Sequence, residues 1–63
     1  MKNRIKDLRK SQKLTQDELA NAVGVSRQTI NAIENDKYNP TLELAIKLAR
    51  YLRVPVEDLF ILE

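Results

Sequence analysis

The 63-residue sequence contains no cysteine and no histidine, which excludes a disulfide framework and a zinc site built from the usual nitrogen and sulfur ligands. A domain this short buries only ~60% of the surface its unfolded chain exposes. A core of that size rarely supplies more than about 3–5 kcal/mol, so with both cross-links missing self-association is the remaining stabiliser. Long apolar runs are also missing. None exceeds four residues, the longest ending in Phe60-Ile61-Leu62, against the ~20 needed to cross a bilayer. No membrane segment is expected. Asp7, Arg9 and Lys10 stand where a secretory signal would need an apolar stretch, and the expected location is cytoplasmic.

Glycine occurs once, at Gly24, too sparsely for a glycine-rich phosphate-cradling loop. Without histidine, Ser11 and Ser26 have no partner to activate them. The carboxylates of Asp17-Glu18 and Glu57-Asp58 are adjacent, so on a helix they point in different directions and cannot act as an acid–base pair. They read instead as capping groups. No catalytic residue, metal, cofactor or small-molecule ligand is expected, and the chain reads as something other than an enzyme.

Charge is present but unevenly placed. The formal total is +2, yet six cations against Asp7 alone give the first 13 residues +5 and leave −3 for the rest. A basic start of this kind can face phosphate or simply solvent.

No repeat, low-complexity tract or linker divides the chain, so residues 1–63 read as a single domain, and Gly24, Pro40 and Pro55 fall between amphipathic stretches. The pattern predicts an all-α, compact bundle of five short helices. Ile5, Leu8 and Gln12 mark one face of a first helix from about Lys2 to Lys13. Thr15-Gln16-Asp17-Glu18 is a capping box that starts a second helix, and Gly24 ends it as a left-handed residue. Ser26 caps a third helix reaching about Asn35, with Ile30 and Ile33 facing inward. Thr41 caps a fourth, whose leucines and alanines make it the most buried. A short helix from Val56 to Phe60 closes the bundle.

Two short helices joined by a glycine-containing turn suit a helix-turn-helix, here about residues 15–35, although a plain helical hairpin has the same spacing. The third helix separates the two. At ~100° per residue from Arg27, Ile30 and Ile33 fall near ~300° and ~240°, so the outer face centres near ~90°. Gln28, Asn31, Ala32 and Asn35 occupy it, with Arg27 at its edge. Solvated helices usually display Lys and Glu at pairing distance. Amides and one arginine are instead the side chains whose forked donors match adenine and guanine edges.

These residues carry a family resemblance. Gln16-Asp17-Glu18-Leu19-Ala20, Val23-Gly24-Val25-Ser26, Ile30, Ile33-Glu34-Asn35, Lys37-Tyr38-Asn39-Pro40 and Glu57-Asp58-Leu59-Phe60 resemble the helix-turn-helix (XRE) family of phage repressors, Cro proteins and small bacterial regulators. The resemblance covers nearly the whole chain. It implies a λ-repressor-like fold and sequence-specific binding of double-stranded DNA as a transcriptional regulator, most simply a repressor. Helix 3, about residues 27–35, would then enter the major groove.

Residue roles follow from the resemblance. Gln16 would bond a phosphate and brace Gln28. Ser26, Arg27 and Gln28 would meet base edges or the flanking phosphate, and Asn31 the next turn. Ala32 departs from the longer polar residue often found there, limiting readout to a thymine methyl. Asn35, Lys37 and Tyr38 would clamp phosphate without specifying sequence. Arg9 and Glu34 would form a structural ion pair, and Ala20 would let helices 2 and 3 cross closely.

One recognition helix reads few base pairs, so a homodimer on a palindromic operator is expected. Its interface is expected in residues 54–63, with Phe60, Ile61 and Leu62 as the contacts, although Phe60 itself can plug the monomer core. The alternative is a protein-interaction module, such as an antitoxin or anti-repressor, on the same fold.

Overall fold

A computed structural model describes residues 1–62. Five helices form the bundle: α1 (Ile5–Ser11), α2 (Gln16–Val23), α3 (Arg27–Glu34), α4 (Leu42–Leu52) and α5 (Val56–Leu59). Three of them start on hydroxyl caps. Thr15, Ser26 and Thr41 each accept a hydrogen bond from the backbone N–H three residues on. The Thr15 cap is a complete capping box, because the Glu18 carboxylate accepts in return from the Thr15 N–H at 2.9 Å. The core joins Ile5 of α1, Leu19, Ala20 and Val23 of α2, Ile30 and Ile33 of α3, and Leu59 and Phe60 around α4. α4 itself contributes Leu44, Ala45, Leu48, Ala49 and Leu52. That share makes it the centre of the bundle, as the density of leucine and alanine predicts.

The ends of the chain depart from the expected helices. Lys2–Asn3 (β1) pairs antiparallel with Phe60–Ile61 (β2), Lys2 opposite Ile61 and Asn3 opposite Phe60. The first helix therefore begins at Ile5 rather than near Lys2, and the last stops at Leu59 with Phe60 extended. The physical reason lies in long-range bonds. The Arg4 N–H donates to the Leu59 carbonyl at 2.9 Å. The Asn3 side chain accepts from the Ile5 N–H at 3.1 Å and donates to the Ile33 carbonyl at 2.8 Å. A continued helix would forfeit all of these. Phe60 packs in the core, whereas Ile61 and Leu62 remain exposed. The expected 54–63 dimerisation segment is thus mostly part of the bundle, and its last residue, Glu63, lies outside the described residues.

Four helices end in the same way. The N–H of Leu14, Val25, Lys37 and Val54 reaches back five residues to the carbonyl of Arg9, Ala20, Ala32 and Ala49, respectively, at 2.9–3.0 Å. The residue before each donor is left-handed: Lys13 (φ 58°), Gly24 (φ 78°), Asp36 (φ 60°) and Arg53 (φ 65°). This is the Schellman turn, which returns the chain sharply and satisfies helix-end carbonyls. Only one of the four uses glycine, so three turns carry the steric cost of a Cβ in left-handed backbone.

Two substitutions of opposite sign test this. Lys13→Gly should stabilise the fold by about 0.5–1 kcal/mol, the relieved strain less the entropy glycine adds to the unfolded chain. Gly24→Ala should destabilise it by about 1 kcal/mol. A Cβ at Gly24 meets nothing within 4 Å, so that loss is backbone strain alone. Thermal melts should move by ~4–8 °C per kcal/mol for a domain of this size. Melts that fail to shift in opposite directions would refute the strain assignment.

Candidate nucleic-acid interface

α2 and α3 are short, eight residues each, and neither is stable alone in water at that length. Their relative placement comes from packing and from one buried polar cluster. Ala20 is buried at the centre of α2, where a larger side chain would push the two helices apart. The turn Gly24-Val25-Ser26 follows, with Val25 packed on the core and Ser26 opening α3.

The polar cluster joins three elements. The Arg9 Nε donates to Glu34 Oε2 at 2.8 Å and its Nη2 to Oε1 at 3.2 Å. The remaining nitrogen, Nη1, donates to the Leu14 carbonyl at 2.9 Å. Gln16 Nε2 donates to Glu34 Oε1 at 3.0 Å. The two charged side chains are only 10% and 2% exposed. A forked arginine held against a carboxylate with further donors is the arrangement in which a buried pair can offset its desolvation. Its effect is geometric: α1, the α1–α2 turn and the first residue of α2 are all tied to the C-terminal end of α3.

The same cluster revises one implication of the family resemblance. The amide of Gln16 is bonded to Glu34, and no hydrogen bond among the described residues links it to Gln28. Gln16 is nevertheless the first residue of α2, where unsatisfied backbone N–H groups and the helix dipole favour an anion.

Along α3 the candidate residues divide into two groups. Arg27 and Gln28 are exposed, and among the described residues their side chains make no hydrogen bond or ion pair. They are available to a ligand. Ser26 is committed to capping, since its hydroxyl accepts from the Thr29 N–H at 3.2 Å and shares a 3.0 Å hydrogen bond with the Thr29 hydroxyl. Asn35 donates to the Asn31 carbonyl at 2.9 Å and to Asn31 Oδ1 at 3.2 Å. That contact orients the Asn31 amide so that its N–H donors remain for a partner. Ala32 is half-buried, and Lys37 and Tyr38 are exposed in the loop that follows.

Three participants were not singled out from the sequence. Thr29 locks Ser26, and the spacing of three between the two hydroxyls is a legible signal for it. Asn3 ties the start of α1 to the end of α3 across thirty positions, which no local pattern reveals. Gln12 appears in the sequence as part of the inner face of helix 1, yet its amide donates to the Leu52 carbonyl at 2.8 Å and caps α4.

Short helices joined by a tight turn anchored through Val25, with amides and an arginine projecting from the second, form a helix-turn-helix. The family model described as helix-turn-helix matches residues 5–59. The chain belongs to this family. It is 54% identical over 63 residues to an HTH-type transcriptional regulator of Methanocaldococcus jannaschii, covering all of this chain and 96% of that protein. It is also 40% identical over 57 residues to the cryptic phage CTXphi transcriptional repressor RstR of Vibrio cholerae, covering 90% of this chain and 51% of that protein. Among solved structures, it resembles the restriction-modification controller protein C.AhdI from Aeromonas hydrophila with a TM-score of 0.83 and 32% identity. That match covers 90% of this chain and 86% of that one. The λ-repressor-like, five-helix architecture and the phage-repressor resemblance both stand, with the two-stranded sheet as a small addition.

The buried cluster generates a stability prediction. Arg9→Met should cost about 3–5 kcal/mol, because the Glu34 carboxylate stays buried with one donor residue instead of two. Arg9→Met combined with Glu34→Leu should recover most of that loss, since the uncompensated charge is gone. Urea midpoints of both variants at constant slope provide the check; a single variant as stable as the double would mean that the pair contributes no such constraint.

Proposed function

We propose that the chain is a sequence-specific DNA-binding transcriptional regulator, most simply a repressor that acts by occupying its operator. The observation that carries the proposal is the exposed face of α3: Arg27, Gln28 and, one turn on, the oriented Asn31 amide stand on a helix fixed by buried contacts. Arginine matches the guanine O6/N7 edge and amides match adenine N6/N7. Lys37 and Tyr38, with the N-terminal N–H groups of α2, suit phosphates on either side of the groove.

The proposed active species is a homodimer on a palindrome. Half-sites read by a helix-turn-helix pair lie ~34 Å apart, whereas this chain measures 28 Å in its longest dimension. Two copies are needed to engage both. Leu42 and Leu62 are 74% and 88% exposed, and Met1, Ile46 and Ile61 are partly exposed as well. Leu42, Met1 and Leu62 border one groove with Pro40, Val56 and Phe60. An apolar patch of this kind fits a self-complementary interface. Phe60 supports it from beneath, while Ile61 and Leu62 are the outward contacts. A repressor of this kind works in the cytoplasm, and among the described residues no helix is long and apolar enough to cross a membrane.

Selection from a randomised DNA library at two salt concentrations tests the first claim. A short palindrome should be enriched, one of its positions should lose definition in Gln28→Ala, and affinity should fall with salt at a log–log slope near −0.9 per phosphate contact. No enrichment at either salt would overturn the sequence-specific reading.

Leu42→Glu with Leu62→Glu tests the dimer without touching the core, because both positions are exposed in the monomer. Sedimentation should show a monomer that retains its helical signal and loses affinity for the palindrome. A dimer that survives both changes would place the interface elsewhere. Removing the tail is a poorer test, since Phe60 packs in the core and Ile61 belongs to the sheet.

A further inference from the structure

A second concave surface lies away from α3. Arg50, Tyr51 and Arg53 at the end of α4 line a trough with Gln12 and Leu14 from the α1–α2 turn. It continues past Arg50 and Tyr51 to Ala22 and Val23 of α2 and Lys47 of α4. The two walls are tied by the hydrogen bond from Gln12 to the Leu52 carbonyl, so the trough is a fixed feature of the bundle. Its lining mixes two chemistries, the guanidinium groups of Arg50 and Arg53 and an apolar part that includes Leu14, Ala22 and Tyr51, the last 44% exposed.

Among the described residues Arg50 and Arg53 make no ion pair. No carboxylate lines the trough, and Lys47 at its far end is paired with Glu43 at 3.3 Å. Lys13 adds a further exposed cation between Gln12 and Leu14. Both Lys13 and Arg53 stand at left-handed positions where glycine would be less strained. Complementing a helix C-terminal dipole accounts for a cation there, but not for an exposed aromatic set in a concavity beside two arginines.

DNA is a poor occupant for this trough. The loop carrying Lys37 and Tyr38 precedes α4, and Arg53 follows Thr41 by twelve residues, which at 1.5 Å per residue places it ~18 Å along the helix from that end. Phosphates held by the loop are about a helix length away. We infer that the trough is a docking site for an acidic, amphipathic segment of a protein partner. Its carboxylates pair with Arg50 and Arg53, and its apolar side chains rest on Leu14, Ala22 and Tyr51. The charge complementarity steers encounter and fixes register, while the apolar part supplies contact area. The inference is independent of the DNA reading, because the two surfaces share no residue.

The test uses the full chain, isotopically labelled, and a synthetic helical peptide with glutamates along one edge of a leucine and phenylalanine face. Amide shifts should concentrate at Leu14, Ala22, Tyr51 and Arg53. The Arg50→Glu, Arg53→Glu variant should bind at least about tenfold more weakly, with a native helical signal and unchanged DNA affinity. A peptide with glutamine in place of glutamate should lose the same affinity. If charge reversal disturbs folding, Arg50→Gln with Arg53→Gln serves in its place. Shifts centred on the Leu42 and Leu62 groove, or equal binding by the glutamine peptide, would overturn the proposal. So would a loss of DNA affinity with a shallower salt slope, which would assign these arginines to phosphate.

Discussion

The placement of α3 depends on the Arg9–Glu34 pair. α3 is eight residues long, about 12 Å of helix, and cannot hold its own orientation. Its inner side rests on Ile30 and Ile33, but apolar contacts permit a helix to slide or roll. A bidentate guanidinium–carboxylate contact does not, because both its distance and its plane are specified. With Gln16 on the same carboxylate, the pair fixes the end of α3 to the beginning of α2, the two helices of the helix-turn-helix. The ion pair serves as a register device whose value lies in position more than in net stability.

Most of the fold could be read in advance, and the exceptions have a common cause. Helix phases and the three hydroxyl caps were legible because each depends on residues within four positions. The Gly24 turn was visible because glycine advertises left-handed backbone. The equivalent turns at Lys13, Asp36 and Arg53 were not, since a lysine or arginine in that conformation is imposed by the surrounding packing and leaves no mark in its own identity. The β1–β2 pairing was hidden for the same reason. Two-residue strands carry no periodicity, and what holds them is the contact of Asn3 with the end of α3 and of Arg4 with Leu59.

At the site, the outward phase of α3 was recoverable from Ile30 and Ile33, which define what is inside and therefore what is not. The finer division among its polar residues was less accessible. Asn35 looks interchangeable with Gln28 in sequence, both being amides on one surface, and Ser26, legible as a cap, also falls among the expected contacts. In the structure Ser26 bonds Thr29, and Asn35 bonds Asn31, so both are engaged within α3 and its cap. Small polar residues at helix ends satisfy backbone groups first, and that competition distinguishes a cap from a contact.

The remaining question is how a chain of this size keeps separate surfaces from interfering, and α4 supplies the answer. At ~100° per residue from Leu42, its buried residues span ~200° to ~340°. Leu42 and Ile46 then fall near ~0° and ~40° on one flank, and Lys47 and Tyr51 near ~140° and ~180° on the other. The apolar groove and the basic trough are thus opposite shoulders of one helix, divided by the exposed strip at Glu43, with Arg50 on the trough side. α3 projects from a third direction, set by α2 and the buried pair. A ligand on any one surface meets side chains that the others do not use, so coupling between them must pass through the shared core of Leu44, Leu48 and Leu52. A close-packed core of this kind transmits rigid placement and resists gradual deformation, which favours partners that act by occupying or blocking over partners that act by reshaping the recognition helix.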